Sequence, residues 1–150
     1  MKRIMFVCHG NICRSPMAEF VFRKMVRDGG LSEKYEVASS ATSTEEIGNP
    51  VYPPARALLK AHGIDPLGKR AVQLTRADYE KYDLFVGMDS ANVRNMHRTF
   101  GSDPEGKVTK LLDFALGGDV ADPWYTGDFE TTYKDVLRGC KALLEKLENS

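Results

Sequence analysis

Cys8 and Arg14 are separated by five residues in the segment Cys-His-Gly-Asn-Ile-Cys-Arg-Ser at 8–15. A cysteine thiolate can attack the phosphorus of a bound phosphate monoester and form a covalent intermediate. The planar guanidinium of an arginine can hold two phosphoryl oxygens at once. The pair therefore indicates a site at which a phosphate monoester reacts with a cysteine.

The position of this segment supports that chemistry. It follows the apolar run Arg3–Val7, which is typical of a buried parallel strand, and it precedes Pro16, which favours the first turn of a helix. Backbone N–H groups of such a loop, with the free N–H groups of the helix behind them, bind a dianion and favour a thiolate at Cys8. We therefore predict a phosphate-binding loop made of His9, Gly10, Asn11, Ile12, Cys13 and Arg14.

Three residues near the nucleophile have separate expected roles. We expect Asn11 to adopt positive φ and to tie the loop with its side chain, because Asn tolerates that conformation better than other non-glycine residues. Ser15 has two possible roles, which can coexist: its hydroxyl can donate to the Cys8 sulfur, and it can cap the following helix. His9 is expected to project outward, within reach of a substrate.

With these residues in place, the chain resembles the low-molecular-weight protein tyrosine phosphatases. The family's signature loop is matched by Cys8 and by the run from Gly10 to Ser15, and its distant aspartate by Asp122-Pro123-Trp124. The resemblance implies hydrolysis of phosphotyrosine in proteins through a phosphocysteine, with Asp122 as general acid and then general base. It also implies the flavodoxin-like fold of that family.

The resemblance implies roles for further residues. Asp89 matches an aspartate that supports the phosphate loop from below, although a helix-capping role fits Asp89 equally well. Cys13 matches a cysteine that protects the nucleophile through a reversible disulfide. The wall of the substrate pocket is expected to contain Ile12, Trp124 and Tyr125.

Two positions depart from the family pattern. Many relatives carry Tyr or Trp where this chain has Glu45, so half of the aromatic lining is missing. Glu45 and Glu46 would instead favour basic residues beside the phosphotyrosine, unless both are solvated loop carboxylates. Lys69 stands where mammalian relatives carry a His. We therefore do not expect the support that this His gives to the phosphate loop to carry over unchanged to this chain.

Alternating apolar runs and helical patterns predict a doubly wound α/β fold with a four-stranded parallel sheet and helices on both faces. We expect a single domain over residues 1–150, with its long loops at Ala41–Pro54 and Asp113–Phe129 bordering the pocket. The predicted strands are Arg3–Val7, Tyr35–Ser39, Leu84–Met88 and Val108–Leu111. Helices are predicted after the phosphate loop up to Gly29, near Pro54–Ala61, near Ser90–Arg98, and along the apolar stripe from Tyr133 to Leu147.

Composition narrows the possible partners. Lys plus Arg and Asp plus Glu number 21 each, so no overall field attracts nucleic acid or an anionic membrane. No apolar run approaches the ~20 residues of a membrane span, and we expect a cytoplasmic protein. Three cysteines in such a chain argue against structural disulfides. The histidines lack metal-ligand spacing, so we expect no metal and no cofactor, and a monomer with a weak dimer as the alternative.

Four alternative functions are each disfavoured by a feature of the sequence. Arsenate reductases resemble this loop but use a further pair of cysteines, and the chain has none between Cys13 and Cys140. Related protein-arginine phosphatases usually carry Thr where this chain has Ile12. A phosphotyrosine-binding module without turnover would not need Cys8, Arg14 and Asp122 together. A flavodoxin-like cofactor binder would leave Arg14 unexplained.

Overall fold

A computed structural model describes the whole chain, Met1–Ser150. It contains four strands, six α-helices and one 3₁₀ segment. In chain order these are β1 (Lys2–Cys8), α1 (Arg14–Asp28), β2 (Tyr35–Ala41), α2 (Pro53–Ala61), α3 (Asp78–Lys81), β3 (Leu84–Gly87), α4 (Ser90–Phe100), β4 (Val108–Lys110), the 3₁₀ segment (Leu111–Phe114), α5 (Pro123–Thr126) and α6 (Phe129–Glu148).

The four strands form one parallel sheet in the order β2-β1-β3-β4, which confirms the predicted doubly wound α/β fold. The strand order reverses beside β1, the point at which open α/β sheets bind their ligands beyond the carboxyl ends of the strands. The phosphate loop leaves the sheet at that point. No helix combines the length and the apolar character that crossing a bilayer requires.

Side chains along β1 alternate between two apolar cores. Ile4, Phe6 and Cys8 face the larger core beneath α1 and α6, while Met5 and Val7 face the smaller core beneath α4. This period of two is the ordinary geometry of a strand buried on both faces. It directs the Cys8 side chain toward the face that α1 covers.

The predicted boundaries differ from the structure by a few residues. β1 continues through Cys8, β3 ends at Gly87, and Leu111 begins the 3₁₀ segment instead of extending β4. The four-residue helices α3 and α5 were not predicted, because an element of one turn shows no repeating apolar period. Part of the expected loop Asp113–Phe129 is therefore helical.

Candidate active site

The phosphate loop connects the end of β1 to the start of α1. Asn11 has φ of 61°, which confirms the predicted left-handed conformation. α1 begins at Arg14 behind Cys13, and no side chain caps its first turn. The first N–H groups of the helix are therefore left for an anion, as the sequence suggested.

A cleft of about 550 Å³ opens above this loop. The predicted loop residues form its floor, and both long loops contribute to its sides. The lining residues are Cys8, His9, Gly10, Asn11, Ile12, Cys13, Arg14, Glu45, Glu46, Asp122, Trp124 and Tyr125.

The Cys8 sulfur receives two hydrogen-bonding groups. The backbone N–H of Asn11 donates to it at 3.3 Å, and Ser15 Oγ lies 3.0 Å away. Donors at these distances stabilise a thiolate. Of the two interpretations of Ser15, the sulfur contact is confirmed and the helix cap is wrong, since α1 already begins at Arg14.

The Asn11 side chain fixes the direction of these bonds. Its Nδ2 donates to Ser15 Oγ at 2.7 Å and to Ser39 Oγ at 2.9 Å, while its Oδ1 accepts from the Val72 N–H at 3.1 Å. Because Ser15 Oγ already accepts from Asn11, the Ser15 proton is free to point at the Cys8 sulfur. Asn11 thus supports the loop and orients its neighbour.

The hydrogen-bond network that begins at the Cys8 sulfur ends at the buried carboxylate of Glu19, which was not predicted from the sequence. Ser39 Oγ donates to Glu19 Oε1 at 2.6 Å, and Glu19 is only 3% exposed. Lys69 Nζ donates to the Ser39 carbonyl at 3.0 Å and lies 3.8 Å from Glu19 Oε1. Burial lowers the pKa of Lys69, and the neighbouring Glu19 opposes that shift. Lys69 therefore reaches the strand that holds Asn11.

Arg14 is held in place from behind the pocket. Its Nη1 donates to Asp89 Oδ2 at 2.7 Å and to the Val120 carbonyl at 2.9 Å, and its Nη2 lies 3.4 Å from Asp122 Oδ2. Burial opposes the charge on Arg14, but the Cys8 sulfur and the two carboxylates raise the pKa of its guanidinium. Arg14 therefore remains a cation although it is 3% exposed.

Asp89 carries out both roles that the sequence left open. Its Oδ2 accepts from Arg14, while its Oδ1 accepts from the Asn92 N–H at 2.8 Å and caps α4. Asn92 completes a capping box by accepting from the Asp89 N–H. One carboxylate thus both holds Arg14 and caps the first turn of α4.

Asp122 lies at the opposite edge of the pocket. It caps the short helix α5 by accepting from the Trp124 N–H at 3.0 Å. Its second oxygen faces Arg14. The structure therefore brings Asp122, which is 114 positions from Cys8, to the same pocket.

Trp124 and Tyr125 form the aromatic side of the pocket, and 53% and 84% of their surfaces are exposed. Trp124 packs on Tyr52 with 5.0 Å between ring centroids, and Tyr52 stacks on Phe129 at 6.0 Å. Tyr52 was missed from the sequence, although its position directly before Pro53 at the start of α2 was a usable signal. It holds the exposed tryptophan in place.

The opposite side of the pocket contains Glu45 and Glu46. Glu45 Oε2 lies 2.9 Å from His9 Nε2, and Glu46 Oε2 accepts from Asn49 Nδ2 at 2.6 Å. His9 projects outward from the loop as expected and is half-exposed. The contact between His9 and Glu45 was not anticipated.

The two remaining cysteines are buried thiols. Burial, reinforced by the neighbouring Cys8 sulfur, raises the pKa of Cys13 to about 12. Cys140 is fully buried on α6 and packs in the larger core as a small apolar residue. All three cysteines are free.

Comparisons with known proteins agree with this geometry. Residues 3–150 match the model of the family described as low molecular weight phosphotyrosine protein phosphatase. The human protein of that description is 42% identical, over 97% of this chain and 95% of its own. The crystal structure of YfkJ from Bacillus subtilis superposes with a TM-score of 0.96 at 34% identity, over 99% of this chain and 96% of that one.

A second solved structure is similar at higher identity. The low molecular weight protein tyrosine phosphatase SP-PTP from Streptococcus pyogenes is 42% identical, with a TM-score of 0.88 over 98% of this chain and 93% of that one.

The double role of Asp89 can be separated by two substitutions. Asp89→Asn retains a good helix cap but no charge for Arg14, whereas Asp89→Ala loses both. We expect kcat/KM on an aryl phosphate to fall about 10- to 100-fold in both variants, the usual worth of a hydrogen bond to a charged group. Urea unfolding should show the Ala variant about 1 kcal/mol less stable than the Asn variant. Parent-like activity in Asp89→Asn would leave Asp89 as a helix cap only.

Proposed function

Because this chain belongs to the low molecular weight phosphotyrosine protein phosphatase family, we propose that it hydrolyses phosphotyrosine in proteins, and small aryl phosphates, through a phosphocysteine on Cys8. One observation carries the proposal. The Cys8 sulfur, with Ser15 and the Asn11 N–H beside it, lies in the same cleft as Arg14 and Asp122.

The first chemical step transfers the phosphoryl group to sulfur. The N–H groups of the loop and the Arg14 guanidinium bind the phosphoryl oxygens, and the Cys8 thiolate attacks phosphorus. The bond between phosphorus and the phenolic oxygen breaks as Asp122 gives that oxygen a proton. The products are a neutral phenol, a phosphocysteine and an Asp122 carboxylate.

The second step returns the enzyme to its starting state. Asp122 removes a proton from a water molecule, whose oxygen attacks phosphorus and displaces the Cys8 sulfur as a thiolate. The Ser15 hydroxyl, oriented by Asn11, stabilises the departing thiolate. Asp122 thus donates a proton in the first step and accepts one in the second, which returns it to its protonated form.

The shape of the pocket supports an aromatic substrate. Trp124 and Tyr125 offer ring faces, and Ile12 is an apolar residue of the phosphate loop in the same lining. A planar phenyl ring packs on such faces, and its length carries the phosphate to the buried sulfur. A phosphoserine side chain is too short for the same reach.

We also propose that the whole chain, residues 1–150, functions as one domain and as a monomer. Cys8, Arg14, Ser15 and Asp122, which perform the steps above, meet within one chain, so the proposed chemistry requires no residue of a second copy. Each step uses only these residues, the loop N–H groups and a water molecule, and no three His, Cys, Asp or Glu side chains form a group that could hold a metal ion. Three free cysteines, one of them the proposed nucleophile, support a reducing, cytoplasmic location.

Replacing the nucleophile tests the proposal most simply. Cys8→Ser should abolish turnover of p-nitrophenyl phosphate while phosphate binding, followed by calorimetry, remains measurable. A serine hydroxyl without an adjacent base is a poor nucleophile at neutral pH, whereas the anion-binding loop and Arg14 are unchanged. Substantial turnover in this variant would show that Cys8 is not the nucleophile.

Asp122→Asn tests the general acid. Turnover of phosphotyrosine should fall about 10²- to 10⁴-fold, the range for loss of general acid catalysis. The loss should be smaller for substrates whose leaving groups have a low pKa, since these depart without a proton. Equal losses across a series of aryl phosphates would point to a positioning role for Asp122.

We propose that Cys13 protects the nucleophile from irreversible oxidation. Hydrogen peroxide converts the Cys8 thiolate to a sulfenic acid and is reduced to water; the Cys13 thiol then displaces a second water and forms a disulfide. Its raised pKa keeps Cys13 a thiol, so Cys8 is oxidised first. Activity of Cys13→Ser should recover less completely than that of the parent when dithiothreitol follows peroxide. Full recovery would leave Cys13 as a packing residue.

A further inference from the structure

The segment 42–49, here called the rim loop, is bound at its start to Cys8 and His9. The Thr42 N–H donates to the Cys8 carbonyl at 3.0 Å. Both the N–H and the hydroxyl of Ser43 donate to the His9 carbonyl, at 3.1 Å and 2.9 Å. These bonds fix where the rim loop begins relative to the groups that bind phosphate.

Two acidic side chains of the rim loop continue this contact at the pocket mouth. Glu45 Oε2 lies 2.9 Å from His9 Nε2. A β-carbon at Gly10 would lie 3.4 Å from Glu46 Cγ, so the stem of Glu46 passes over the phosphate loop. Both side chains therefore lie beside the entrance: Glu45 contacts His9 while it stays largely exposed, and the Glu46 carboxylate accepts from Asn49 Nδ2 at 2.6 Å.

The balance of charge at this entrance is negative. Arg14 and His9 are the only basic side chains of the lining, and Arg14 is already bonded to Asp89 and Asp122 at the base of the pocket. One imidazole therefore faces two carboxylates at the rim. The opposite wall, Trp124 and Tyr125, carries no charge.

We propose that the contact between His9 and Glu45 is an exchangeable pair that selects phosphotyrosine beside a lysine or arginine. This inference rests on the phosphatase function proposed above and names its substrate class. A basic residue of the substrate displaces His9 from Glu45 and is also attracted by Glu46. An acidic residue meets both carboxylates, and it can recruit His9 only by leaving Glu45 uncompensated.

The exchange is easy because the pair is exposed. His9 and Glu45 have 50% and 69% of their side-chain surfaces accessible, so the displaced imidazole regains water. An exposed pair of this kind changes an equilibrium constant by only about 1.5- to 5-fold. A lysine or arginine carries a full charge to the same carboxylate, and its stem can pack along the rim.

The test compares two phosphotyrosine peptides that differ only in having Lys or Glu on both sides of the phosphotyrosine. The parent protein should favour the basic peptide by about 5- to 20-fold in kcat/KM at low salt, since two carboxylates each contribute a few-fold. The preference should shrink in ~1 M salt, where the screening length falls to about 3 Å. Using the ratio of two peptides cancels any effect of a variant on the chemical steps.

Three variants test whether the preference for the basic peptide comes from the contact between His9 and Glu45 and from the neighbouring Glu46. Glu45→Gln and Glu46→Gln should each lower the ratio about two- to fivefold. His9→Gln keeps a donor for Glu45 but cannot carry a charge, so it should raise the ratio in the parent and leave it unchanged when combined with Glu45→Gln. Glu33→Gln is the matched control: this exposed carboxylate lies beside Lys34 at the opposite end of β1, and its loss should not alter the ratio.

The outcomes separate this inference from the function on which it rests. Turnover of both peptides at equal rates would overturn the selection by the rim and leave the phosphatase intact. An effect of His9→Gln that persists without Glu45 would show that the two residues do not act as a pair. A protein that hydrolyses neither peptide nor p-nitrophenyl phosphate would overturn the proposed function itself.

Discussion

The site depends on placing a nucleophilic sulfur and a guanidinium in one pocket, where the residues that hold them have little contact with bulk water. Cys8 and Arg14 are each 3% exposed, so polar groups of the protein must take the place of solvent around them. A buried charge without partners is costly, and the surrounding structure supplies those partners. Ser15 and the Asn11 N–H contact the sulfur, whereas Asp89, Asp122 and the Val120 carbonyl contact the guanidinium.

The fold provides these partners from separate parts of the chain. Asn11 is fixed by Ser39 on β2 and by the backbone of Val72, and Ser39 in turn donates to Glu19 on α1. Asp89 stands at the end of β3 and caps α4. Adjacent parallel strands end at one edge of the sheet, so residues distant in sequence meet around one loop. This network of hydrogen bonds holds the sulfur and the guanidinium in position before any substrate binds.

The sequence predicts the parts of this site that are local. The loop from Cys8 to Ser15 is continuous, so its position between a strand and a helix was clear, and positive φ at Asn11 followed from residue type. Ser15 was ambiguous because a serine before Pro16 fits a helix cap as well as a sulfur contact. Only the actual start of α1 at Arg14 decides between them.

The long-range partners were less accessible from the sequence. The catalytic role of Asp122 and the contact of Asp89 with the phosphate loop could be inferred only through the family resemblance, because the local sequence of Asp89 indicates no more than a helix cap. Glu19, Tyr52 and the bond from His9 to Glu45 depend on how helices and loops pack across the sheet. Glu45, considered from the sequence as a charge facing the substrate or as a solvated carboxylate, also contacts the His9 imidazole.

In the proposed mechanism, the phosphoryl group passes through the Cys8 sulfur. Rapid acid quenching of an Asp122→Ala variant during turnover of an aryl phosphate, followed by peptide mass spectrometry, measures this directly. We expect one phosphoryl group on the peptide that contains Cys8, because loss of the base slows hydrolysis of the intermediate. Phosphate on another residue, or product released with no labelled protein at any quench time, would contradict it.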